Sequence, residues 1–510
     1  MQKSMIQQET FTDVIGVSNL RLKFPGAESL LFKDLSFEAE KGEKVLFLGP
    51  SGCGKSTLLQ VLSGLIPQSI EVPVRQDEIH LPTTYGFVFQ DPDTQFCMPF
   101  VDEELAFVLE NLQVPREKMD ERMIDVLERV GLHVEPHTRI QDLSQGMKQR
   151  LALASVLLLD PDVIFLDEPS ALLDPEGTVQ IWDSVKEVSE DKTVIIVEHK
   201  IDQISDWVDR VVLFDDYGKI IADGAPNTIF KDYHEEITAY GIWHPRVWED
   251  YIASPSFSGM MERRSSSDIQ LLKEKDPIIS LQSFKGFYGK KEKIHIHDAA
   301  IYPQSWLTII GDNGAGKSTL LLALMRLINS EGDYRIQGKP VSLNKKDKVP
   351  PKELSFVFQN PELQFVENSV KDEIAFSLSL RGLSREEIDE EASRLLQTFR
   401  LHVDDDHHPY QLSIGQKRRL SVATAFAHHS DILILDEPTF GQDAQNTFSM
   451  LEQLEELRQQ GTTIVMVTHD MNIVEHFATD VWTIDQGTLA SVEECPGVQQ
   501  LRQEVLHESI

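Results

Sequence analysis

Gly49-Pro50-Ser51-Gly52-Cys53-Gly54-Lys55-Ser56-Thr57 and Gly311-Asp312-Asn313-Gly314-Ala315-Gly316-Lys317-Ser318-Thr319 decide how this chain is read. Both stretches match G-x-x-x-x-G-K-[ST]. Each follows an apolar run (Val45 to Leu48, Leu307 to Ile310) and precedes a leucine-rich segment, the strand–loop–helix setting that the pattern requires. Glycines let successive backbone N–H groups curl around a phosphate, and the start of a helix adds the positive end of its dipole. Lys55 and Lys317 have the reach to meet β- and γ-phosphates, and Ser56 and Ser318 offer hydroxyls to Mg²⁺. The sequence therefore predicts two nucleotide sites on one chain.

Working outward from the loops, the two halves register as a duplication. Gln90 and Gln359, Ser144 and Ser413, Asp167 and Asp436, and Glu168 and Glu437 all stand 269 residues apart. The second half carries its additional residues near Asn344 to Pro351, between its phosphate loop and Gln359. The expected organisation is a first domain over 13–240, a connector over 241–276 and a second domain over 277–510. The connector has loop composition in Ser254-Pro255-Ser256 and Arg263-Arg264-Ser265-Ser266-Ser267, with Trp243 and Trp248 available to tack it onto a domain.

Val163 to Leu166 and Ile432 to Leu435 are continuous apolar runs, as buried parallel strands require, and Val194 to Val197 and Thr463 to Val467 are two more. Pro115 to Val130 reads as an amphipathic helix with Met119, Met123, Val126, Leu127 and Val130 on one face, Pro115 in its first turn and Gly131 at its end. The fold class is α/β, two domains each built on a mainly parallel sheet with a helical insert.

The net charge of −35 argues against a nucleic-acid backbone as the main partner; solubility accounts for most of it. Three cysteines, Cys53, Cys97 and Cys495, form no disulfide framework and suit a reducing compartment, with Cys53 read as a small spacer in its loop. Met1 to Thr12 is polar and has no signal core, and the apolar stretch Leu151 to Leu159 is too short to span a bilayer, so the chain is not expected to cross a membrane by itself.

Asp167-Glu168 and Asp436-Glu437 each end an apolar strand. The aspartate can hold Mg²⁺ through water, and the glutamate can polarise an attacking water. Gln90 and Gln359, at the exits of Phe87-Val88-Phe89 and Phe356-Val357-Phe358, can sense the metal and the γ-phosphate or simply cap their strands. His199 and His469 also close apolar strands. A lone histidine there is usually a core residue; its recurrence in both halves favours a γ-phosphate contact.

Leu143-Ser144-Gln145-Gly146-Met147-Lys148-Gln149-Arg150 and Leu412-Ser413-Ile414-Gly415-Gln416-Lys417-Arg418-Arg419 resemble the signature sequence of ATP-binding-cassette ATPases, and Ser170-Ala171-Leu172-Leu173-Asp174 and Thr439-Phe440-Gly441-Gln442-Asp443 look like that family's D-loops. The resemblance covers nearly the whole chain. It implies ATP with Mg²⁺ as ligands, an antiparallel β subdomain in each cassette, Ser144, Gly146, Ser413 and Gly415 as γ-phosphate donors, and Phe24 and Tyr288 where the family stacks an aromatic on adenine. Each of those two aromatics could equally be core. It also implies that the two cassettes pair within the chain, each phosphate loop facing the other's signature.

After the glutamines come Asp91-Pro92-Asp93-Thr94-Gln95-Phe96 and Asn360-Pro361-Glu362-Leu363-Gln364-Phe365, followed by Val101 to Phe107 and Val370 to Phe376. These resemble energy-coupling-factor transporter ATPases, peripheral motors of vitamin and metal-ion uptake, and fused forms tied to hydroxymethylpyrimidine/thiamine import are the nearest in feel. The resemblance implies integral membrane partners, a place on the cytoplasmic face of the cell membrane, and Asp93 and Glu362 in the groove that receives the partner. A soluble tandem cassette acting on ribosomes or DNA, or the motor of an exporter, are the alternatives; neither a long charged arm between the cassettes nor Cys-x-x-Cys pairs are seen. His402, Asp404, Asp405, Asp406, His407 and His408 could be taken for a metal cluster, but a solvated loop is the simpler reading.

Overall fold

The computed structural model describes residues 14–494 other than Glu28, Ser51, Leu172, Asp174, Arg263, 265–274, 345–348, His402, Asp405 and Asp406. Ser51 of the first phosphate loop, parts of the first D-loop, of the connector and of the 344–351 turn, Cys495 and much of the His402–His408 cluster thus lie outside the described residues. The chain forms two compact units, one running to Val247 together with Asp443–Gln445, the other comprising the remainder from Trp248 on.

The first unit is organised by a six-stranded sheet in the order Ile220–Gly224, Arg210–Phe214, Lys44–Leu48, Thr193–Val197, Val163–Asp167, Tyr85–Val88. All neighbours run parallel except the first pair. The strands Val163–Asp167 and Thr193–Val197 are buried along their full length, which is why they read as unbroken apolar runs. A separate antiparallel sheet pairs Val14–Leu22 with Phe32–Glu40, Val74–Arg75 and Glu78–His80. A helical layer contains Val101–Asn111, Arg116–Arg129 and Gln145–Leu158. The helix predicted over Pro115–Val130 forms as Arg116–Arg129. It buries Met119 and Val126, and Gly131 follows it at φ 61°.

The second unit repeats this plan in one ten-stranded sheet. Its parallel part runs Asp480–Asp485, Trp306–Ile310, Thr463–Val467, Ile432–Asp436, Leu354–Val357. The antiparallel part, Ile279–Tyr288 with Lys291–Ile301 and Asn329–Ile336, joins it through the strand Thr488–Glu494, which runs antiparallel to Asp480–Asp485 and meets Lys291–Ile301 in one parallel pairing of His295 with Thr488.

The described part of the connector is more ordered than its Ser/Pro composition suggests. Helices Val247–Ile252 and Pro255–Glu262 place Tyr251, Phe257 and Met260 in the second unit's core. The Tyr251 ring lies on Phe448 at 3.9 Å, and the buried Arg264 guanidinium donates to the carbonyls of His476 and Phe477 at 3.0 and 2.7 Å. Aromatic residues at helical spacing outweigh the local turn residues here. Among the described residues no helix is long and apolar enough to cross a membrane.

Candidate active site

In both units the parallel strands end on the same side, where α/β sheets of this kind bind ligands. The loops after Lys44–Leu48 and Trp306–Ile310 wrap into helices Lys55–Leu62 and Lys317–Leu324, whose starts are set by Gly54 at φ 104° and Gly316 at φ 111°. A side chain at Gly311 would put its Cβ 2.1 Å from the Ile484 carbonyl oxygen, so only glycine lets this loop pass so close to the sheet. Lys55 Nζ donates to the carbonyls of Gly49 and Pro50, both at 2.8 Å, and Lys317 Nζ to those of Gly311 and Asp312 at 2.6 and 3.0 Å. Each ammonium is thereby held across its own loop, where a phosphate would sit. Cys53 is buried, and burial pushes its thiol up against the opposing pull of Lys55, which suits the spacer reading.

Ser56 Oγ donates to Asp167 Oδ1 at 2.7 Å, and Ser318 Oγ to Asp436 Oδ1 at 3.2 Å. Burial pushes the Asp167 carboxyl up to about 6, with Glu168's charge adding to it and Ser56 and Lys55 opposing; burial also raises Asp436. The aspartate carboxyl and the serine hydroxyl set hard oxygen donors side by side, the kind that suit Mg²⁺.

The two glutamates share an uncommon backbone. Glu168 and Glu437 sit at φ 50° and 53°, in the left-handed region that non-glycine residues avoid. The sharp turn swings each carboxylate toward the histidine of the neighbouring strand: His199 Nε2 lies 3.1 Å from Glu168 Oε1, and His469 Nε2 lies 3.3 Å from Glu437 Oε1. Gln90 Nε2 donates to Glu168 Oε2 at 2.6 Å, whereas Gln359 is exposed. Burial pushes the Glu168 carboxyl up, but His199, Lys55 and the Gln90 amide outweigh it and hold it low. Ionised at neutral pH, Glu168 is able to accept a proton from water. The structure thus brings together the phosphate loops, aspartates, glutamates and histidines named from sequence within each unit.

Ser144 and Ser413 cap the signature helices Gln145–Leu158 and Ile414–His428. Ser413 makes a full capping box with Gln416; the corresponding Met147 side chain is partly buried and packs against the core instead. Gly146 and Gly415 stand in the first turns of these helices. Phe24 and Tyr288 are exposed, 39% and 54%, so the core alternative for these aromatics does not hold.

Some functional geometry was not visible in the sequence. Asp93 and Glu362, expected to face a partner, each hold a lysine of the signature helix: Lys148 Nζ to Asp93 at 2.7 Å and Lys417 Nζ to Glu362 at 2.6 Å. Glu104 and Glu373 turn inward, and each accepts two backbone N–H bonds, Glu104 from Cys97 and Met98, Glu373 from Val366 and Glu367. Their signal is the repeated glutamate at the fourth position of Val101–Asn111 and Val370–Ser379. An acidic run alone does not reveal which carboxylate points in.

A family model described as "ABC transporter" matches residues 32–171 and 295–440. The Bacillus subtilis (strain 168) protein named "Putative HMP/thiamine import ATP-binding protein YkoD" is 36% identical, with 94% of this chain and 92% of that protein aligned. A Streptococcus agalactiae serotype III protein named "Putative ABC transporter ATP-binding protein gbs1680" is 34% identical over 90% of this chain and 87% of its own length. Among solved structures, archaeal ribosome recycling factor aABCE1 in complex with stalk protein aP1 covers 91% of this chain and 88% of its own at TM-score 0.57 and 17% identity, a likeness of fold alone. With duplicated sites of this geometry and matches of this extent, the chain belongs to the ABC transporter family as a tandem ATP-binding subunit that hydrolyses ATP.

Proposed function

We propose that this ATPase is the energy-coupling subunit of an importer of the energy-coupling-factor type, carrying a small vitamin-like molecule or metal ion, with hydroxymethylpyrimidine/thiamine the favoured cargo. As an ABC transporter ATPase it works with membrane transport subunits, and through them it would sit at the cytoplasmic face of the cell membrane. Its best support is the repeated surface after the two glutamines. Asp93 and Glu362 stand at the surface, and the segments that follow them expose Phe107 in the first unit and Leu363, Val366, Phe376 and Leu380 in the second. Exposed apolar side chains and carboxylates on the same segments suit a helix carrying apolar and basic residues. The name of the Bacillus subtilis relative supports the cargo.

In each site the phosphate loop and Lys55 or Lys317 would bind the β- and γ-phosphates of ATP. Ser56 with Asp167 and Ser318 with Asp436 would hold Mg²⁺, Gln90 and Gln359 completing the set; bound there, the ion would neutralise charge on the phosphate oxygens. Glu168 and Glu437 would take a proton from the attacking water, with His199 and His469 placed to meet the γ-phosphate. Phe24 and Tyr288 would stack on adenine, and Ser144, Gly146, Ser413 and Gly415 would donate to a γ-phosphate.

Charge reversal at both Asp93 and Glu362 tests the partner assignment. Loss of co-purifying membrane subunits, with ATP binding by the isolated chain retained, is expected. Normal assembly and uptake in that double variant would contradict it.

A further inference from the structure

Glu198 follows the strand Thr193–Val197 and is only 1% exposed, yet no part of the proposed chemistry uses it. Its carboxylate gathers four donors. Oε2 accepts the Ser170 hydroxyl at 2.7 Å and the Ser170 N–H at 3.3 Å; Oε1 accepts the N–H groups of His199 at 2.8 Å and Lys200 at 3.3 Å. Ser170 lies two residues beyond Glu168, and His199 is the residue whose imidazole meets Glu168. One buried side chain therefore spans the loop that carries the glutamate and the loop that carries the histidine.

The second unit is built differently at this point. Thr468 stands between Val467 and His469, buried, and its hydroxyl accepts the Asp470 N–H at 3.1 Å, a bond within its own loop. Thr439 stands in the place of Ser170. The cassette thus folds around a threonine in one half, so a fully buried carboxylate in the other is not required to close the strand. Burying one is costly unless its hydrogen bonds are complete, and here four donors supply them.

We propose that Glu198 is a positioning residue of the first catalytic centre: it fixes His199 relative to Glu168 by tying their two loops together. The proposal rests on Glu168 being the general base of that centre. Outer support of this kind around a reacting site is typically worth about 10- to 100-fold in affinity or activity.

The test uses the full chain with Glu437→Gln, so that the remaining turnover comes from the first centre. Adding Glu198→Thr, which copies the second unit, is expected to lower kcat about ten-fold while KM for ATP stays within about two-fold. Glu198→Gln should lose activity as well, because its NH₂ meets a donor; Glu198→Asp, which keeps the acceptor pair, should recover part of the rate. The same Glu198→Thr change in a Glu168→Gln chain, where the second centre is read, should leave kcat within about two-fold. A first-centre kcat that holds within two-fold, or an equal fall in both backgrounds, would overturn the proposal, the latter showing a role in overall stability only. Should Glu198→Thr fail to fold, Ser170→Ala cuts the tie at its far end and is held to the same two-fold limit. Turnover that survives Glu168→Gln and Glu437→Gln together would instead overturn the base assignment beneath it.

Discussion

In the first unit Glu168 is gripped from two sides, by the Gln90 amide at 2.6 Å and the His199 imidazole at 3.1 Å; in the second, Glu437 faces His469 at 3.3 Å while Gln359 stands exposed. The differences continue behind these residues. Buried Gln149 donates to the Phe89 carbonyl at 3.4 Å, but its counterpart Arg418 brings a guanidinium to the Phe358 carbonyl at 3.2 Å. Burial pushes that guanidinium down to about 10, against the pull of Glu437 and Asp436. Leu173 packs near Gly146, whereas Gln442 donates to the Gly415 carbonyl at 3.0 Å. The lysines, serines, aspartates, glutamates and histidines placed to meet phosphate, metal and water are shared; several of the residues that hold them are not. Duplication has kept the chemistry and let the supports diverge, so the two sites should differ in rate more than in nucleotide affinity.

The largest effect tests what the sites share. Replacing Lys55 and Lys317 together by alanine removes the ammonium from both phosphate loops and should abolish nucleotide binding, measured by equilibrium titration of the purified chain. Unchanged ATP affinity would break the comparison at its root.

A smaller effect tests the signature helices. Ser413 has its capping box with Gln416, while Met147 leaves the Ser144 backbone N–H without the reciprocal partner. Met147→Gln should complete the box and raise thermal stability of the first unit by about 0.5–1 kcal/mol, the usual worth of a cap interaction. A loss of stability by calorimetry would show that Met147's core packing outweighs the cap.

The smallest effect concerns Arg418. Arg418→Gln reproduces the first unit's Gln149, keeps a donor to the Phe358 carbonyl, and should alter ATPase turnover by less than about three-fold. Arg418→Leu leaves that carbonyl without this donor and should destabilise the second unit by about 1–3 kcal/mol in denaturant titration. Equal behaviour of the two substitutions would mean that the bond to Phe358 contributes nothing.

Much of this was legible because phosphate chemistry restricts the residue types. Glycines, lysines, aspartates and glutamates at strand ends announce themselves, and their repetition at a fixed offset located both sites. The parallel strands were legible too, since burial on both faces forces continuous apolar runs. What stayed hidden depends on where a side chain points. Glu104 and Glu103 look alike in an acidic run, yet Glu104 is buried and bonded to two amides. Lys148 and Lys417 reach back to Asp93 and Glu362 across more than fifty residues of sequence, a pairing that spacing does not encode. The connector's helices were masked by its serines and prolines, because the burial of Tyr251, Phe257 and Met260 is a tertiary effect.

The central claim is that one chain carries two ATPase centres with shared chemistry and unequal supports. Steady-state ATP hydrolysis by Glu168→Gln and Glu437→Gln chains, at saturating ATP and with the membrane subunits present, tests it most directly. Loss of a general base costs about 10² to 10⁴ in rate at its own site, so each variant reports on the other site. Glu168→Gln is expected to leave the lower residual rate, and the double variant almost none; equal residual rates in the two single variants would contradict the account.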